Sequence, residues 1–157
     1  MRLRHKAAAV LAAAAVLGSG LVAASPAPAH HGRAYGCERQ FHESVRTYVE
    51  TTDARDAEGF NALLHPEVTA ILPGGTVFVG KEETAAFVRG FFARTDWTQS
   101  LTVRRTTVEG CATAFVLFDS VYAEPASGYR DDLVIGITWT RERGRWLVLH
   151  DQNTVVG

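Results

Sequence analysis

The sequence predicts an α+β domain, three helices followed by a strongly curved mixed or antiparallel sheet, with a conical space between the two layers. Two observations carry this. Apolar residues recur at helical spacing in three segments before Thr95, and from Trp97 onward the period changes to two and stays there. Turn-forming clusters at Pro73-Gly74-Gly75, at Glu124–Tyr129 and at Arg141–Gly144 divide the rest into strands. A sheet of such long strands is expected to curl, with the helices over its concave side and Phe, Leu and Trp filling the narrow end of the cone.

The elements follow in order. Glu38–Thr52 is a helix with Phe41, Val45, Tyr48 and either Val49 or Thr52 on one face, and Glu43, Arg46 and Glu50 on the other. Asp53 or Asp56 can cap a second helix, about Ala57–Leu64, which His65-Pro66 stops. Val68–Leu72 alternates as a strand and returns after the turn as Thr76–Val79. Gly80-Lys81-Glu82-Glu83 opens a third helix, acids in its first turn, that buries Ala85, Val88, Phe91 and Phe92 and ends near Arg94-Thr95. Ser100–Val108, Ala112–Ala123, Asp132–Thr140 and Arg145–Asn153 are the long strands, the last two a hairpin.

The first 29 residues stand apart. MRLRHK is a basic start, an apolar run of small residues follows, and Ala27-Pro28-Ala29 fits a small-x-small cleavage site, the three parts of a secretory signal peptide. The expected layout is a leader over 1–29, a polar lead-in over 30–36 and a single domain over 37–157, secreted and with no membrane segment after cleavage. Loss of Arg2, Arg4 and Lys6 leaves 13 basic against 17 acidic side chains. With no basic run beyond Arg104-Arg105, a nucleic-acid or anionic-membrane partner is not expected. Two cysteines, Cys37 and Cys111, remain in an exported chain, a count that favours a disulfide; two buried free thiols are the alternative.

The closing strand, GRWLVLHDQNT, turns from apolar to ionisable along its length, so one end of the sheet lines something wetter. Trp146, Val148, His150 and Gln152 alternate with Leu147, Leu149, Asp151 and Asn153. Only one set can face the cavity, periodicity does not choose between them, and a bulge would reverse the choice. His150, beside Trp139 and Trp146, is a candidate general base. Asp119, inside FVLFDSVY, is the second catalytic candidate, because an acid among those residues faces either solvent or a lined cavity. Tyr48, Phe92, Trp97, Tyr122, Trp139, Trp146 and Gln152 are the expected lining. No HxH, HExxH or cysteine cluster points to a metal, and no cofactor is expected. G-x-S-x-G, a phosphate loop and a dinucleotide fingerprint are all missing from the sequence.

Three strings, YVETTDARDAEGFNALLHPEVTAILPGG, FVGKEETAAFV and RWLVLHDQNT, together with the order of elements, resemble the SnoaL-like members of the nuclear-transport-factor-2-like (cystatin-like) superfamily, and within it the SgcJ/EcaC-type group. The resemblance spans about Arg39–Thr154. It implies the cone-shaped fold and a homodimer formed through the outer sheet face. In function it implies a range from isomerases, cyclases and dehydratases to pocketed proteins without a known reaction. The isomerase pattern implies a carboxylate base and an oxyanion hole of a tyrosine with a protonated acid; Asp119 or Asp151 is available as the base and Tyr48 or Tyr122 as the donor, and none of them sits in a motif of that enzyme. Three functions follow as expectations: a secreted binder of a small apolar molecule, a cofactor-independent acid–base enzyme on a hydrophobic carbonyl or polyketide-type substrate, and a dimeric scaffold.

Overall fold

The computed structural model describes residues 29–156, with side chains from Tyr35 onward. Except for Ala29, the expected leader lies outside the described residues. Helix α1 runs over Ala29–Ala54, so that the backbone of the expected lead-in continues the helix. Its buried residues Cys37, Phe41, Val45, Tyr48 and Thr52 recur every three or four positions, one stripe facing the sheet. Arg55, at φ 53°, breaks the helix, and Asp56 starts α2 (Ala57–Ala62) by accepting a hydrogen bond from the Gly59 N–H at 2.9 Å.

Strand β1 (Leu64–Ile71) begins earlier than expected, so His65 and Pro66 lie in a strand rather than at a helix end. It is followed by β2 (Val77–Val79) and by α3 (Lys81–Phe92), which buries Thr84, Ala85, Val88 and Phe92. The long strands are β3 (Thr98–Glu109), β4 (Thr113–Glu124), β5 (Tyr129–Glu142) and β6 (Arg145–Val155). Together with β1 and β2 they form, among the described residues, one six-stranded sheet in the order β2-β1-β6-β5-β4-β3. Only β1 and β6 pair in parallel, because the chain must cross from one edge to the other through α3 and β3 before β6 returns beside β1.

The expectation of a strongly curved cone is corrected: the sheet is open and not strongly curled. Long strands bend at bulges and at internal glycines. Across β3, β4, β5 and β6 the only internal glycine is Gly136, each of the β3–β4 and β5–β6 pairings shifts register once, and the central β4–β5 pairing is unbroken. The helices therefore lie over a broad twisted surface, and the space beneath them depends on side-chain size rather than on closure of the sheet.

The core sits between α1 and the inner face of the sheet, where Phe41 packs against Trp139 and Trp146 at ring-centre distances of 6.0 and 5.5 Å. Cys37 and Cys111 form a disulfide with Cα atoms 5.5 Å apart, tying α1 to the connection between β3 and β4. The indole N–H of Trp146 donates to the Cys37 carbonyl at 2.9 Å, so the same point of α1 is fixed to β6 as well. Among the described residues no helix is long and apolar enough to cross a membrane.

Candidate functional site

Away from the Trp139–Trp146 end, the layers part around a cavity of about 290 Å³. Its wall is formed by α1, α2, α3 and residues of β1, β3, β4, β5 and β6, with Leu72 and Pro73 following β1 at its rim. Phe60, Val68, Val88 and Phe92 make most of this surface apolar. Gln99, Tyr122, Tyr129 and Asp131 supply a more polar stretch, and Tyr129 is 49 % exposed, which marks the open side.

One group breaks the apolar inner wall. Asp151 of β6 is 8 % exposed and lines the cavity. The Tyr48 hydroxyl of α1 donates to its Oδ2 at 2.9 Å, and the Asn153 amide donates to its Oδ1 at 2.9 Å. Asn153 is itself anchored by a bond of 3.3 Å from the same amide to the Ile71 carbonyl. Burial lifts the Asp151 carboxyl from 3.8 to about 6, against the opposing pull of the Tyr48 and Asn153 hydrogen bonds and of the charge on His150. Burial and the adjacent Asp151 carboxylate together raise the Tyr48 hydroxyl well above its usual range. Tyr48 is held rigidly, its ring 4.8 Å from Phe60 and 5.9 Å from Phe118.

A carboxyl group half-titrated near pH 6, with a neutral donor on each oxygen, can do two things. Ionised, it accepts a hydrogen bond or receives a cation; protonated, it donates to a carbonyl. Each Asp151 oxygen keeps a lone pair for a guest, since each already accepts a single bond.

The expected site residues divide. Tyr48, Phe92 and Tyr122 line the cavity. Trp139 and Trp146 do not; they are packed into the closed core at 0 and 2 % exposure. Trp97 lies behind the wall, stacked on Phe91 at 4.4 Å with the Arg55 guanidinium 4.6 Å above its ring, and faces a second cavity of about 210 Å³. His150 pairs with Thr69 and Thr138 on the other face of the sheet, and Gln152 is exposed there. Asp119 also lies on that face, half exposed and ion-paired with Arg104, whose Nε reaches it at 3.0 Å. That pairing, and not a buried environment, holds the Asp119 carboxyl below its ordinary value. The structure thus brings His150 and Asp119 neither to the cavity nor to each other.

A model of the SnoaL-like domain matches residues 45–149. The chain belongs to the SnoaL-like family. No curated protein matches it. Among solved structures, an NTF2-like protein with a cystatin-like fold from Novosphingobium aromaticivorans is 22 % identical, covering 82 % of this chain and 87 % of that one, with a TM-score of 0.67. A domain of unknown function with a cystatin-like fold from Nostoc punctiforme is 19 % identical over 78 % of each chain, with a TM-score of 0.67. A candidate dehydratase of the NTF2-like family from Streptomyces avermitilis is 18 % identical, over 78 % of this chain and 98 % of that one, with a TM-score of 0.64. At these identities the likeness is one of fold.

For this SnoaL-like domain the residue that sequence reasoning ranked too low is Asp151. The β5–β6 hairpin turns tightly at Arg143 and Gly144, both with positive φ (48° and 82°), so Trp139 opposes Val148. Unbroken alternation from that point would put His150 on the cavity face. Instead the register slips by one residue at Leu149, and Thr138 opposes His150 while Ile137 opposes Asp151. The bulge turns Asp151 and Asn153 inward and His150 and Gln152 outward. Nothing in the composition of the strand marks Leu149 as the place.

Proposed function

We propose that this SnoaL-like domain is a secreted small-molecule-binding protein, whose apolar guest fills the cavity and is read at its inner wall by Asp151, Tyr48 and Asn153. The observation that carries the reading is the Asp151 carboxylate, buried in an open-sided apolar cavity and partnered only by neutral donors. Burying such a group is costly, and sites that do so are where a polar function is placed. Secretion is supported by the three-part leader and by the Cys37–Cys111 disulfide. The three matching strings support a place in the SgcJ/EcaC-type group. A homodimer through the outer sheet face is supported by Phe115, Leu117, Val121 and Val134, half-buried side chains on that face.

A second reading, a cofactor-independent acid–base enzyme on a hydrophobic carbonyl substrate, draws on the elevated Asp151 value of about 6, where a carboxyl can both take and return a proton. The likeness to the Streptomyces avermitilis candidate dehydratase points the same way.

The test is a panel of apolar ring compounds bearing hydroxyl, carbonyl or amine groups, screened by thermal shift and confirmed by calorimetry. Binding is expected to be lost in Leu72→Trp, which fills the cavity rim, and turnover, if any member is converted, to be lost in Asp151→Asn. A panel without a binder, or binding unaffected by Leu72→Trp, would overturn the assignment.

A further inference from the structure

We infer that the guest is a lipophilic cation, an apolar molecule carrying a protonated amine that Asp151 receives; this rests on the cavity being a binding site. Three features of the lining converge on it.

The first is the sign of its charge. The only charged residues in the wall are carboxylates, Asp151 at the inner side and Asp131 near the mouth, and no Lys, Arg or His lines it among the described residues. Arg94, linked to the rim residue Tyr122 through Glu124, is already occupied by Asp96 and by Glu124, so it does not offset them. A carboxylate guest would meet like charge at both ends of the cavity and find no cation.

The second is how Asp151 is held. Its partners are a phenol and an amide, donors that stabilise the anion without neutralising it. Among the described residues no arginine or lysine bonds to it, and apart from the charge of His150 along the strand the anion has no cationic complement. An ammonium supplies both a proton donor for the remaining lone pairs and the missing charge, whereas a hydroxyl supplies only the donor. The attraction of opposite charges beside Asp151 is set against the cost of taking the ammonium out of water, and the aromatic wall offsets part of that cost.

The third is the aromatic content: seven of the twenty-one lining residues are Phe or Tyr. Aromatic faces attract a cation that has left water, and alkyl or aryl substituents on the amine pack against the same rings. A small inorganic cation fits less well, because among the described residues no three His, Cys, Asp or Glu side chains gather to hold one.

The burial-driven value of about 6 for Asp151 leaves it ionised above neutrality in the empty protein, and a bound ammonium would hold it so. The titratable groups around it are Tyr48 from α1 and, along the strand, His150; the cavity-facing residues of α2, α3 and β1 (Phe60, Val88 and Ala70 among them) are uncharged.

The experiment is a matched series, 4-(aminomethyl)biphenyl, 4-(hydroxymethyl)biphenyl and biphenyl-4-carboxylic acid, titrated calorimetrically at pH 8 into the protein with its disulfide intact. The amine is expected to bind at least about tenfold more tightly than the alcohol, and the acid not at all. Asp151→Asn, checked for folding by its melting curve, is expected to reduce the amine to the affinity of the alcohol and leave the alcohol within about threefold. Equal binding of amine and alcohol by the wild type overturns the inference and leaves the cavity reading intact, and this comparison needs no variant. A preference that survives Asp151→Asn in a folded protein overturns the role given to Asp151. If no member of this series or of the wider panel binds, the cavity reading itself falls.

Discussion

Asp151→Asn separates the electrostatic cost of the buried carboxylate from its use. The carboxyl rises from 3.8 to about 6 on folding, and at ~1.4 kcal/mol per pKa unit the ionised group lowers stability by about 3 kcal/mol. The sign is fixed by proton binding. The native state holds this proton more tightly than the unfolded chain, so stability falls as pH climbs from about 4 to about 6 and the loss is complete above that. Asparagine removes the charge without removing the hydrogen bonds. Its Oδ1 still accepts from Asn153, and its amide can donate to the Tyr48 oxygen once that hydroxyl rotates. Some of the gain is lost to imperfect geometry, which leaves an expected stabilisation of about 1–3 kcal/mol at pH 8 and about zero at pH 4. Urea unfolding followed by tryptophan fluorescence at the two pH values measures it, since Trp97, Trp139 and Trp146 are all buried. A variant less stable than wild type at pH 8, or a difference that does not change with pH, would refute the reasoning.

Two further outcomes follow from other parts of the molecule. Replacing Cys37 and Cys111 by serine opens a link spanning 74 residues and is expected to lower stability by about 2–4 kcal/mol, read from melting curves beside those of the reduced wild type. Asp119→Asn is expected to leave the melting temperature within experimental scatter, because its Arg104 pair is half exposed, and to leave calorimetric ligand affinity unchanged. A loss of binding in that variant would return the site to the outer face.

The helices and strands were legible because each carries its own period. The stripe of Phe41, Val45 and Tyr48 requires no knowledge of what it packs against, and neither does the alternation of Leu133, Ile135 and Ile137. The disulfide was legible for a similar reason, since two cysteines allow one intramolecular pairing. The start of β1 and the curvature of the sheet were not. Leu64 completes a helical pattern that His65-Pro66 reads as stopping, and it is pairing of Leu64 with Val148 of β6 that makes this segment strand. Curvature depends on where bulges fall across several strands at once, and a strand sequence records only which residues alternate.

The site shows the same division more sharply. Residues that any face assignment would bury near the cavity, such as Tyr48 and Phe92, could be named from the sequence. The ionisable residues could not, because the last strand offers two polar sets of similar chemistry one position apart, and a single extra residue exchanges them. Energetics offered no warning. Asp151 inside the wall carries an electrostatic cost above pH 6, where the carboxyl ionises against burial. A strand free to choose its register for stability alone would turn the acid toward water. The slip at Leu149 does the reverse and brings Tyr48 from α1 and Asn153 from the same strand to meet the acid. The slip therefore accepts the cost of a buried acid, and it places that cost at the one carboxylate of the strand that lines the cavity.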